Sequence, residues 1–198
     1  MPRENFTLSE SRASLGDRPE TSGGVGRRYH PDMPEGDLLQ ILLSHDRWAT
    51  TQLLDACGKL TAKQFHRRFD IGPGSLHDTL THVIGATRAM TETLAGQEPR
   101  PRLEGDGQRR TPEQVRTLLE EAWRELSAES RRRPLDEIVS RRTRDGRTLT
   151  MTRAAVVAHV ATHAMHHRAQ CLNMLRQLGI NPLPPSSVAE WTWVGETI

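Results

Sequence analysis

Three histidines and a cysteine recur at steps of four residues near the C-terminal end of the chain. His159, His163, His167 and Cys171 therefore project along one side of any α-helix that contains them. His163 and His167 point the same way and can share one metal ion, as helical histidine pairs do. Because each further step of four drifts by about 40 degrees around the helix, one rigid helix cannot bring all four side chains to one ion. A metal site here needs a ligand from another segment.

The stretch Met151 to Leu178 predicts the long helix that carries these residues, and Gly179 is placed to end it. The histidines share their stripe with Val156, Val160, Met174 and other apolar positions. A neutral imidazole among apolar side chains needs a partner for its ring nitrogens, and a divalent metal is one such partner.

His82 is the candidate third ligand. It lies near the middle of a second predicted helix, Leu76 to Leu94, and its neighbours one turn away are small or polar. The alternative is a satisfied core histidine, which is the more common role of such a residue considered alone. Three histidines on one ion leave a position for water or substrate, as in catalytic metal sites. A Cys171 thiolate is the rival ligand, although a buried small hydrophobe is the usual role of such a cysteine.

The first helix is predicted from Asp37 to Cys57, with Gly58 ending it in the left-handed conformation. Asp46 interrupts its apolar stripe, and two interpretations are open. The carboxylate could orient a buried histidine, or a small rotation of the helix could place it on the surface. Asp78 is the other carboxylate that can be placed near the expected ion.

A third helix begins at Thr111 to Gln114, which combine an N-cap, a proline at the first position and a capping-box glutamine. Asp145-Gly146 between β-favouring residues predicts a short hairpin or loop insertion before the last long helix. The C-terminal stretch suits a short helix or loop packed by Trp191 and Trp193. The pattern predicts an all-α fold, a four-helix bundle.

Arginines concentrate around the predicted hairpin, at Arg131 to Arg133 and at Arg141, Arg142, Arg144 and Arg147. A solvated face, an anion-binding rim and a nucleic-acid contact are the alternatives. The net charge of the chain is only +2, which argues against nucleic acid as a partner.

Residues 1–36, rich in glycine, serine and charge, are predicted to form a disordered or loosely packed extension, and residues 37–198 the helical domain. Two cysteines are too few for a disulfide framework, so a reducing, cytoplasmic location is expected. The N-terminus lacks the features of a secretory signal, and no apolar run is long enough to cross a membrane.

From Asp37 to Ile180 the sequence resembles the DinB-like (DinB/YfiT-like) family. The resemblance rests on HDRWATTQLLDACGKLT, on SLHDTLTHVIGA and above all on HVATHAMHHRAQ followed by LRQLGINPLP. It implies a four-helix bundle, often dimeric, with one divalent ion on His82, His163 and His167. Ala169 departs from the family pattern, which usually has glycine at this position.

Family members of understood chemistry use the metal to activate a thiol or water, as thiol S-transferases, isomerases or hydrolases. The resemblance implies a small-molecule substrate, zinc or nickel foremost as the ion, and a low-molecular-weight thiol as a further cofactor. A stress-related binding module with a structural metal is the alternative. No general base can be identified from the sequence.

Overall fold

The computed structural model describes residues 37–143 and 145–192. Within them lie four long helices, namely α1 (Leu38–Cys57), α3 (Leu76–Ala95), α4 (Pro112–Ser130) and α5 (Arg153–Gln177). The short helices α2 (Ala62–Phe65) and α6 (Val188–Thr192) and the strands β1 (Ile138–Arg142) and β2 (Thr148–Thr152) complete the fold. The predicted all-α fold is confirmed, and the hairpin precedes the last long helix. The predicted extension over residues 1–36, Trp193 and Arg144 lie outside the described residues.

Local signals in the sequence set the helix starts. The Thr111 and Gln114 side chains form the predicted capping box of α4. The Ser75 hydroxyl accepts from the amide of Asp78 at the start of α3, and Gly96 ends that helix with a φ of 67°. The prediction for Gly58 is wrong, because its φ is −61° and it continues the right-handed turn of α1.

The helix α3 is central to the bundle, since it packs against both α4 and α5, and α1 packs against α5 and α4. One apolar core contains Leu54, Leu80 and Met174, and a second contains Leu43, Met90 and Val160. Burial of such side chains is worth about 1.5–3 kcal/mol each. These contacts fix the two helices that carry the histidines relative to each other.

A fully buried arginine joins the ends of two helices. The Arg153 guanidinium donates to the carbonyl oxygen of Leu94, at 2.6 Å, and to that of Glu129. These carbonyls lie in the last turns of α3 and α4, where a cation is favoured by the helix dipoles. Arg153 therefore anchors the start of α5 beside the ends of both neighbours. None of the described helices has the length and apolar composition that crossing a bilayer requires.

Candidate metal centre

Three histidine side chains from two helices meet where α3 packs against α5. His82 lies on α3, and His163 and His167 lie one turn apart on α5. The Nε2 atom of His163 is 3.3 Å from Nε2 of His82 and 3.1 Å from Nε2 of His167. One ligand nitrogen from each residue lies within 4.8 Å of the other two. The structure thus brings together the three residues named from the sequence.

The outer ring nitrogens of two of these histidines are already bonded. The Nδ1 of His82 lies 3.1 Å from an oxygen of Glu104, and the Nδ1 of His167 lies 2.8 Å from the amide oxygen of Gln170. A carboxylate or amide oxygen can only accept, so each Nδ1 donates. In a neutral imidazole this leaves the lone pair on Nε2. Both lone pairs are therefore available on the side that faces His163.

The nitrogen arrangement fits a divalent ion. A neutral His163 has one hydrogen to share between two neighbouring Nε2 lone pairs, whereas a cation between the three nitrogens satisfies all of them. Bonds of about 2.0–2.1 Å in tetrahedral geometry set ligand nitrogens about 3.3 Å apart. The observed separations of 3.1 and 3.3 Å are close to this value. The three histidines could hold one ion, and imidazole nitrogens suit zinc and nickel.

Burial favours the neutral form of two imidazoles, those of His163 and His167. Burial, together with the neighbouring His167 and His82, lowers the pKa of His163 to about 4. Burial also lowers the pKa of His167, although its hydrogen bond to Gln170 opposes this shift. Neutral imidazole is the form that binds metals, so the site is prepared for an ion at neutral pH.

Two glycines make room for the residues that hold the histidines. An added Cβ at Gly85, one turn after His82 on α3, would lie 2.7 Å from the second carboxylate oxygen of Glu104. An added Cβ at Gly72, where φ is 50°, would collide with the amide of Gln170. A side chain at either position would displace the end of Glu104 or Gln170 from its place beside the histidines. The Gly72 turn and the loop that carries Glu104 therefore lie close around the centre.

His159 and Cys171 lie outside the group of three. His159 is exposed, and its ring centre is 5.4 Å from that of His163. Cys171 is buried, and burial raises the pKa of its thiol. A thiol kept neutral by apolar surroundings is a poor metal ligand, which fits its interpretation as a small hydrophobic core residue.

The two carboxylates considered from the sequence have other partners. Asp46 is only 6% exposed, so the interpretation that places it on the surface is wrong. Its carboxylate pairs with the Arg168 guanidinium rather than with a histidine. Asp78 accepts from the Nδ1 of His77 at 2.8 Å and from Arg68 at 2.6 Å. Neither carboxylate takes the role expected beside the ion.

Sequence reasoning missed Glu104 and Gln170. Glu104 lies in the loop between α3 and α4, 22 positions after His82, and no periodicity marks it. Gln170 carried a usable signal, because a residue three positions after His167 lies on the same side of the helix and can bond to it.

The fold and this centre define a class: a helical bundle with a three-histidine candidate metal site shared by two helices. The family model of the DinB family matches residues 33–193, most of the chain, and the chain belongs to that family. The resemblance drawn from the sequence motifs is thereby confirmed. A comparison with curated proteins finds no match.

Proposed function

We propose that this DinB family chain is a metal-dependent enzyme in which a divalent ion on His82, His163 and His167 activates a thiol or water. The observation that supports it best is the convergence of three Nε2 atoms, with two of the rings already fixed through Nδ1. A bound divalent ion supplies acidity, since it lowers the pKa of a coordinated thiol or water. Three protein ligands leave a position open for a substrate atom.

The surrounding residues have defined tasks in this proposal. Glu104 accepts from His82 and Gln170 accepts from His167, which orients each lone pair toward the ion. The low pKa of His163 keeps its imidazole unprotonated at neutral pH. The reaction classes are thiol transfer or isomerisation, with a low-molecular-weight thiol, and hydrolysis of a small molecule. Homodimerisation and a cytoplasmic location stay predictions.

Elemental analysis of the purified chain tests the ligand set. We expect near-stoichiometric metal in the wild type and in His159→Ala, a matched control that removes an imidazole of α5 outside the group. His82→Ala and His163→Ala should each lose the metal, because each removes one of three ligands. Retention of full metal by His82→Ala would contradict a site shared by two helices.

One observation favours the alternative of a non-catalytic module. The three histidines lie on α3 and α5, so an ion between them would crosslink these helices and could serve the fold alone. Metal removal with a chelator separates the two functions. Loss of thiol transfer or hydrolysis with an unchanged far-UV circular dichroism spectrum would support the enzyme. Unfolding on metal removal, with no turnover of either kind in the loaded protein, would support the module.

A further inference from the structure

A cavity of about 660 Å³ lies between α3, the loop that follows it and the hairpin. Five arginines from three segments line it. They are Arg88 from α3, Arg100 and Arg102 from the loop, and Arg141 and Arg142 from β1. This arrangement concentrates positive charge in a concave space.

The carboxylates of the cavity leave part of this charge uncompensated. Glu92 accepts hydrogen bonds from both the backbone and the side chain of Arg100, so the charge of that arginine is compensated. Asp145 is bonded to Arg147 at 2.6 Å, outside the cavity lining. Glu98 is the remaining carboxylate of the lining, and it is exposed to solvent. Arg102 pairs with Glu104, which lies outside the lining. Three arginines therefore face the cavity without a carboxylate partner of their own.

Three of the arginines in the lining lack acceptors. Within the described part of the chain, Arg88, Arg141 and Arg142 have no hydrogen bond or ion pair from their side chains, and the Nε of Arg141 is buried. Burial lowers the pKa of Arg141, and the nearby charge of Arg102 adds to this effect, whereas the charge of Glu92 opposes it. A buried guanidinium nitrogen without an acceptor is costly, and so is the approach of two like charges. An anion between them would relieve both costs.

We propose that this cavity binds a small organic anion through a phosphate or carboxylate group, with Arg102 and Arg141 as its principal donors. The planar fork of arginine matches both groups with paired hydrogen bonds. The volume is within the range of small-molecule sites. Donors that converge from three segments on a concave space favour a small ligand over a duplex nucleic acid, which would need an extended basic surface. The inference is independent of the proposed metal chemistry.

The cavity is connected to the candidate metal centre through one side chain. The Nη1 of Arg102 lies 3.3 Å from the same Glu104 oxygen that accepts from Nδ1 of His82. An anion that bonds Arg102 competes with Glu104 for it. The ligand would therefore bind beside the centre, separated from His82 by Glu104.

Isothermal titration calorimetry of the full chain with pyrophosphate and with citrate tests this site. We expect saturable binding of at least one probe to the wild type, weakened about tenfold or more in Arg141→Gln and in Arg88→Gln, because each removes charged hydrogen bonds. Arg131→Gln is the matched control, since it removes the same charge from the same basic region outside the cavity lining. Tighter binding of pyrophosphate would assign a phosphate ligand, and tighter binding of citrate a carboxylate ligand.

Three results would overturn the proposal. These are absence of saturable binding of either probe to the wild type, equal weakening in Arg131→Gln, and tighter binding of duplex DNA that all three variants reduce alike. Circular dichroism checks that each variant is folded. Because Arg88 and Arg141 lie on different elements, the variant that stays folded carries the test if the other does not.

Discussion

At the scale of single residues, Glu104 connects the loop between α3 and α4 to the candidate metal centre. One of its oxygens accepts from His82, and the other is buried against Gly85 without a hydrogen bond among the described residues. An acceptor on the outer nitrogen of a ligand histidine fixes the ring and makes the inner nitrogen a stronger donor to a metal. The carboxylate should therefore set how tightly an ion binds, although it does not contact the ion.

We predict that Glu104→Ala lowers the affinity for zinc or nickel by about 10–100-fold, the usual effect of removing such a partner. Glu104→Gln should recover part of the loss, because its amide oxygen can still accept from His82. Competition with a chromophoric chelator measures the affinity. Glu98→Gln, on the same loop and exposed to solvent, is the control. Equal affinities in the wild type and Glu104→Ala would show that Glu104 has no orienting role.

The residues of the centre differ in how far sequence could predict them. The proximity of His163 and His167 follows from spacing, because a helix fixes the direction of side chains four apart. His82 could be chosen from its small neighbours and from family resemblance. Glu104 could not, since a loop has no period and its contact with α3 depends on tertiary packing. The partner of Asp46 could not be predicted from the sequence either, because Arg168 lies 122 positions away along the chain.

At the scale of elements, the pair Asp46 and Arg168 joins α1 to α5 inside the bundle. Their side chains are 9% and 3% exposed, and Arg168 also lies 3.2 Å from the hydroxyl of Thr50. Arg168 follows the candidate ligand His167 directly in sequence. The pair thus fixes the rotation of α5 at the point where its histidines must face α3.

Asp46→Ala should lower the free energy of unfolding by about 3–5 kcal/mol, because it leaves the Arg168 charge buried and uncompensated. Urea denaturation followed by far-UV circular dichroism measures the loss. Asp55→Ala is the matched control on the same helix: its ion pair with Arg116 joins α1 to α4 at the surface, and its loss should cost about 1 kcal/mol or less. Similar losses in both variants would mean that Asp46 and Arg168 act no differently from an exposed pair.

The boundaries of helices and strands could be predicted where a short sequence pattern marks them. They were less predictable where they depend on tertiary contacts. The capping box at Thr111 and the hairpin turn at Asp145-Gly146 are short-range patterns, and both are present. The conformation of Gly58 was not predictable from its type, because glycine permits either hand and the chain continues into a further turn. The buried Arg153 resembles any other arginine in sequence, and only the meeting of two helix ends explains its burial.

At the scale of the whole molecule, the packing of α3 against α5 couples the candidate centre to stability. The imidazoles of His163 and His167 are held neutral by their buried surroundings, whereas in an unfolded chain they take up protons near their ordinary pKa of about 6.5. The folded pKa of His163 is about 4, and that of His167 is also lowered. Below the ordinary pKa the unfolded state therefore binds more protons than the folded state.

For the metal-free protein, we predict that the free energy of unfolding falls as the pH decreases from about 6.5 to about 4. The contribution of His163 should be fully present above this range and lost below it. Urea denaturation at a series of pH values, in the presence of a chelator, measures the slope. His163→Asn should flatten it, whereas His159→Asn, which alters an exposed imidazole of the same helix, should leave it unchanged.

With a saturating divalent ion, the free energy of unfolding should fall more steeply as the pH decreases. Protons then compete with the metal for the three nitrogens and also favour the unfolded chain. An ion that binds only the folded state adds about 2.7 kcal/mol to the free energy of unfolding at a concentration of one hundred times its dissociation constant. This gain should disappear as the pH falls, and it should be absent in His163→Asn at every pH. A metal-induced gain of the same size in that variant would place the ion elsewhere and separate the pH dependence of the fold from the candidate centre.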